Sequence, residues 1–258
     1  MPRWARILII LGSLSLGTAV YLYFFGFQTL SALLGRYEFR RMPSIAEVPV
    51  ALADVSISAA PHTKISYFGY ELELPWDDVD DAKCKTAGTI RVTVFRSGNA
   101  FWFSTFPPKS LVNEIMKDSH LDPERFRLIY GDEAFESDYG FYKEMLQTTP
   151  SQITPFVSER QAATGTMLLS FKAIAMPRAE SGIFAIETPS FRGFQFENPR
   201  SRPPRVTDEL YSSDGGIDLI FFQKTVGSAP AISQAEINRV IQSVHKIPAQ
   251  PAPVHPPQ

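Results

Sequence analysis

An α+β domain with an antiparallel sheet covered by helices, preceded by one N-terminal transmembrane helix, is predicted by three features of the 258-residue sequence. Residues 7–35 contain no Asp, Glu, Lys, Arg or His, a run longer than the roughly 20 residues that cross a bilayer core as a helix. Stretches of period two, the signature of half-buried strands, flank a central region of helical period. Their order is two or three strands, several helices, four strands and a final helix, which argues for helices laid on an antiparallel sheet.

Burying a charge in hydrocarbon is costly, so an uncharged run bordered by Arg3 and Arg6 before it and by Arg36, Arg40 and Arg41 after it has the composition of a span. Trp4, Tyr21 and Tyr23 stand where an aromatic belt would lie, placing the span near residues 5–25 with an interfacial remainder. The competing reading is a signal peptide cleaved near Gly17, Thr18 and Ala19. Cleavage there would leave the apolar start VYLYFFGF, so an uncleaved signal-anchor is the better reading. The short basic segment 1–6 precedes the anchor and interfacial segment 7–35; the greater number of arginines after the span, read literally, would keep the domain cytoplasmic, but a domain behind so short a basic terminus commonly translocates, and an extracytoplasmic domain is the expectation.

Residues 36–64 lack a sustained period of either kind and read as a tether, and residues 248–258 form a Pro-rich tail. The single α+β domain is expected over 65–247. ISYFGYELELP alternates, with Phe68, Tyr70, Leu72 and Leu74 on one face. TIRVTVFR and AFWFST, joined at Ser97, Gly98 and Asn99, spell a hairpin. Three helical stripes follow: Leu111, Val112, Ile115 and Met116; Phe141, Tyr142, Met145 and Leu146; Met167, Leu168, Phe171, Ile174 and Ala175. These stripes call for a sheet to cover. GIFAIET, FRGFQFE, RVTDELYSS and GIDLIFFQK are four further strands. Ser233 with Glu236 forms a capping box before a last helix carrying Ile237, Val240, Ile241 and Val244.

The opening GYELELPW before an acidic loop, the closing helix ending in IQSVHK and the order of elements between them resemble the α/β/α sandwich of the Mog1/PsbP-like domains, over roughly residues 64–247. The resemblance implies a non-catalytic binding or assembly module. It matches no functional residue.

Charge and composition narrow the function. With 25 basic against 27 acidic residues there is no global positive field, and no nucleic-acid partner is expected. One cysteine, Cys84, excludes an internal disulfide and a multi-cysteine metal centre. Asp77, Asp78, Asp80 and Asp81 are dense, yet they lack the ligand spacing of a calcium loop and are followed by Lys83 and Lys85. The four histidines, His62, His120, His245 and His255, have no metal-binding spacing. Ser243 and Lys246 match S-x-x-K without its partner motifs, and Cys84 lacks a nearby base. No glycine-rich nucleotide loop occurs. No catalytic residue, metal ligand or cofactor is therefore assigned.

What remains is surface. Arg200, Arg202 and Arg205 lie among prolines as a local basic patch, and strand alternation sends rings such as Trp102 or Phe194 to the face opposite the core. These five residues are the expected interaction surface of a membrane-anchored, non-catalytic binding domain. Its partners are the bilayer through residues 7–35 and either another protein or an apolar ligand. The alternatives are a membrane-anchored hydrolase assembled from Asp77 to Asp81, His120 and Glu133, and a carrier of a lipid or apolar ligand.

Overall fold

The structure, a computed structural model, describes residues 3–52, 59, 62–176, 182–198, 205–223 and 232–248. Arg200, Arg202, the tail beyond residue 248 and part of the 36–64 stretch lie outside the described residues. The chain forms two compact units, Met1–Pro49 with Lys109–Ser181, and Val50–Pro108 with Gly182–Gln258. The division differs from the one domain expected over 65–247: the helical stripes between the strands belong with the N-terminal helix.

The first unit is helical among its described residues. It comprises α1 (Arg3–Phe39), α2 (Pro43–Ala46), α3 (Ser110–Asp118), α4 (Pro123–Tyr130), α5 (Asp132–Glu136), α6 (Asp138–Gln147) and α7 (Glu159–Ala175). Local signals explain where these begin. Asp122 accepts the Arg125 N–H at 2.8 Å with Pro123 in the first turn of α4, and Ser158 and Gln161 form a capping box on α7. Helix α3 has no such residue, because Lys109 at its N-cap offers no acceptor and is left-handed at φ 56. Asp138 of α6 substitutes, accepting the Val112 N–H at 3.0 Å and the Ser110 hydroxyl at 3.2 Å. Phe126, Tyr130, Phe141 and Phe171 then pack with ring centroids 4.7–6.5 Å apart, the aromatic centre of the unit.

The second unit carries β1 (Val50–Ala51), β2 (Thr63–Tyr67), β3 (Tyr70–Leu74), β4 (Lys85–Ala87), β5 (Ile90–Val94), β6 (Asn99–Phe106), β7 (Ile183–Glu187), β8 (Arg192–Asn198), β9 (Arg205–Ser212), β10 (Gly215–Gln223), α8 (Gln234–Ser243) and β11 (His245–Lys246). Eight strands form one sheet in the order β1-β7-β8-β9-β10-β6-β5-β4, antiparallel except for the β1–β7 pair. The expected β5–β6 hairpin and the four later strands are all present. ISYFGYELELP, read as one strand, is instead a hairpin: Phe68 and Gly69 take positive φ of 48° and 84°, and Tyr67 pairs with Tyr70. It joins β11 in a separate three-stranded sheet. One face of the large sheet, through Phe101, Phe103, Leu210, Ile217, Leu219 and Phe221, meets Leu72 and Leu74 of that small sheet and Ile237, Val240 and Ile241 of α8 in one core. The Ser233–Glu236 capping box that starts α8 is formed as expected, with the Ser233 N–H donating to Glu236 Oε2 at 2.8 Å.

Candidate functional site

Within helix α1 the stretch Leu14–Phe39 is long and apolar enough to cross a membrane. It is one helix in extent but two in geometry, because Gly26 adopts φ 78, ψ 166 and breaks it. Before the break Leu14, Leu16, Tyr23 and Phe24 are 62–84% exposed. After it the chain is engaged with its own unit. Thr29 and Ala32 are buried, Ala32 joins Ile45, Ile153, Ala162 and Leu169 in a small core, and Arg36 Nη1 donates to the Ile153 carbonyl at 2.8 Å. The new helix start at the break exposes unpaired N–H groups, and the Glu159 carboxylate answers them, accepting from Gln28 N–H at 3.4 Å. The elbow is thus clasped by the first residue of α7. Ile45, expected in a tether, is 1% exposed; apolar burial holds the first part of the 36–64 stretch against the helical unit.

A buried ammonium ties this segment further. Lys172 of α7 is fully buried, and its Nζ donates to the carbonyls of Glu47 at 2.5 Å, Leu146 at 2.6 Å and Thr148 at 3.0 Å. Three donors meet three acceptors, two of them at the C-terminal end of α6, where the helix dipole favours a cation. Burial pushes the ammonium down to about 8, opposed by the charge of Glu47.

An open cleft of about 780 Å³ lies within the same unit, a volume in the range of roughly 300–1,000 Å³ that small ligands and peptide side chains occupy. Buried Tyr130, Ile153 and Leu168 contribute apolar lining, while Arg127, Glu144 and Arg160 contribute charge. Burial pushes the Tyr130 phenol up to about 12, so it is a neutral donor. Arg127 is committed to its own unit, stacked over Phe135 at 4.1 Å and 3.7 Å from Glu136. The cleft shares Ile153 and Val157 with the segment that packs on α1. No sequence motif marks it, since its walls come from three helices and a loop.

The residues singled out from the sequence take other places. Phe194 is 2% exposed and offers no ring to solvent, which corrects its expected role at the surface. Its register with Ala185 and Glu209 does put it on the face opposite core-facing Leu210, as alternation requires, but that face is covered at this position. Trp102 is half-buried, on the sheet face opposite Phe101 and Phe103, opposed across strands by Val92 and Ile220. Arg205 is exposed and donates to Thr207 Oγ1 at 3.1 Å. Asp77 to Asp81 belong to the sheet unit, His120 and Glu133 to the helical unit. Asp78 accepts the Ser97 N–H at 2.6 Å and so braces the β5–β6 turn, Asp80 pairs with Lys83, and Glu133 pairs with Lys143 at 2.7 Å. Ser243 accepts the Glu73 N–H at 2.9 Å and donates to the Val240 carbonyl, while Lys246 pairs with Asp214 at 2.8 Å, so the S-x-x-K match is no dyad. Among the described residues no group of three or more His, Cys, Asp or Glu is placed to hold a metal ion.

One buried acid was missed. Asp208 of β9 is fully buried, paired across strands with Gln195 and Leu219, and neither carboxyl oxygen has a hydrogen-bond partner among the described residues. Beside it in the sheet, Gln195 joins Gln234 and, through it, Asn238 in a side-chain network between β8 and α8. Burial pushes the Asp208 carboxyl well above the usual range, aided by the charge of Glu197. The signal was present in RVTDELYSS, where Asp208 shares period two with core-facing Leu210. No family model matches this chain, and no curated protein sequence matches it.

Proposed function

We propose that this protein is a single-pass membrane-anchored binding module without chemistry of its own. The span is α1 up to the break at Gly26, and the cleft of the helical unit takes the partner. The observation that carries the reading is the clasped elbow: an apolar helix whose side chains from Leu14 to Val20 are all exposed ends where Glu159, Arg36 and the Ala32–Ile153 contact seize the chain. Such a junction holds the helical unit at a set distance from the helix end, with none of the slack of a flexible linker. Arg3 and Arg6 ahead of the apolar run support an extracytoplasmic position for both units.

The anchor is tested by carbonate washing of membranes, in which full-length protein should stay with the lipid pellet; release into the wash defeats the reading. A reporter enzyme fused at the C-terminus should be active only outside the cytoplasm. For binding against catalysis, Leu128→Arg at the exposed wall of the cleft should abolish cellular function with the fold intact, whereas His120→Gln and Glu133→Gln should leave it unchanged. Loss of function in either of the latter two would favour a hydrolase.

A further inference from the structure

The segment 153–157 does more than wall the cleft. Pro155 and Phe156 lie beside the last turn of α1 before its break: the Tyr21 hydroxyl donates to the Pro155 carbonyl at 3.1 Å, and the Phe25 and Phe156 rings meet edge-on at 6.1 Å. Tyr21 and Phe25 are one helical turn apart, so two contacts fix the height of the loop along the helix. Phe156 is 80% exposed, and Phe24 and Phe27 close to the same level are about equally so. A large ring presented to water on a loop whose neighbours hold it there lacks a folding rationale within this unit.

We infer that Phe156 is a second membrane contact, seated in the headgroup and acyl boundary of the bilayer that α1 crosses. The inference rests on the membrane reading of α1. Residues 5–25 at 1.5 Å rise extend about 31 Å, close to the roughly 30 Å hydrocarbon thickness, so Tyr21 and Phe25 reach the boundary and the loop held against them shares their depth. Tyrosine at this level suits the interface, with its ring in the apolar zone and its hydroxyl bonded to the loop. Arg160, exposed in the first turn of α7, follows four residues after Phe156 and would face anionic headgroups. The occupant of the apolar surface around Phe156 is therefore lipid. The loop would fix how the helical unit stands on the membrane, which a single span leaves free to rotate.

The experiment uses full-length protein in nanodiscs of phosphatidylcholine and phosphatidylglycerol, in a Cys84→Ser background, with a fluorophore on Phe156→Cys, Leu16→Cys or Asp118→Cys. Quenching by lipids carrying a nitroxide on the acyl chain reports depth. The expected result is strong quenching at positions 156 and 16 and none at 118. Quenching at 16 without quenching at 156 overturns the loop contact and leaves the span standing. Failure to quench at 16 overturns the span, and with it this inference. Because Phe156 is exposed, its replacement removes no core contact, and circular dichroism matching the parent establishes that the fold survives.

Discussion

The carboxylate of Glu159 lies so close to Gly26 that a Cβ on the glycine would stand 2.5 Å from Oε2. The glycine is required by its φ of 78°, and a Cβ there would also have to displace the acid that caps the helix restarting beyond it. This pair converts one long apolar helix into an anchor and a docked segment.

Gly26→Ala should therefore destabilise the helical unit by about 1–3 kcal/mol, the scale of a non-glycine residue held at positive φ plus displacement of the cap. Thermal unfolding in detergent micelles measures it. The loss should shrink in a Glu159→Ala background, where the crowding is gone and only backbone strain remains; equal losses in both backgrounds would mean the contact carries no energy.

Lys172→Met should cost about 3–5 kcal/mol, since it removes the one group that satisfies three carbonyls while keeping the stem's volume. Urea titration of the purified protein in micelles is the measurement. A loss below about 1 kcal/mol would show that water replaces the ammonium without penalty.

The Asp138 carboxylate caps α3 from another helix, so Asp138→Ala should lower stability by about 1–3 kcal/mol. Amide exchange should quicken most at Val112, whose N–H loses its acceptor. Uniform quickening throughout the unit would argue against a local cap.

For Asp208 the sign follows from its raised pKa. The unfolded chain gives up this proton near pH 4 and the folded chain keeps it, so the stability the protonated group brings is complete below about pH 4 and is lost as pH rises toward the folded pKa. Asp208→Asn, which cannot ionise, should melt close to the parent at pH 4 and above it at pH 8, by about 1–3 kcal/mol. Parallel pH–stability curves would place an unseen partner on the carboxyl.

Much of the secondary structure was legible because it is local. Period two marked β5 to β10, Ser233 and Glu236 announced α8, and Pro177 set a limit to α7. The Phe68–Gly69 turn was not legible, since an aromatic residue in a left-handed position lacks the Asn-Gly or Asp-Gly signature, and clean alternation on both sides mimics one strand. Helices α4 and α5 were too short to show a period. Of the site, the apolar run of α1 was readable, whereas the elbow was one glycine among 15.

The sequence by itself determined that an uncharged run over residues 7–35 precedes a mixed chain, and which face of most elements is apolar. Only the tertiary structure decided what each face meets: the stripes of α3, α6 and α7 gather with α1 in a helical unit, and the large sheet is closed by α8 and a small second sheet. The physical reason is that the hydrophobic effect scales with area and has no direction, so an apolar stripe states that it must be buried and leaves the partner open. Directional contacts resolve the choice. Glu159 at Gly26, Lys172 at three carbonyls and Asp138 at the start of α3 join residues 24 to 133 positions apart in sequence, and no local pattern could have paired them.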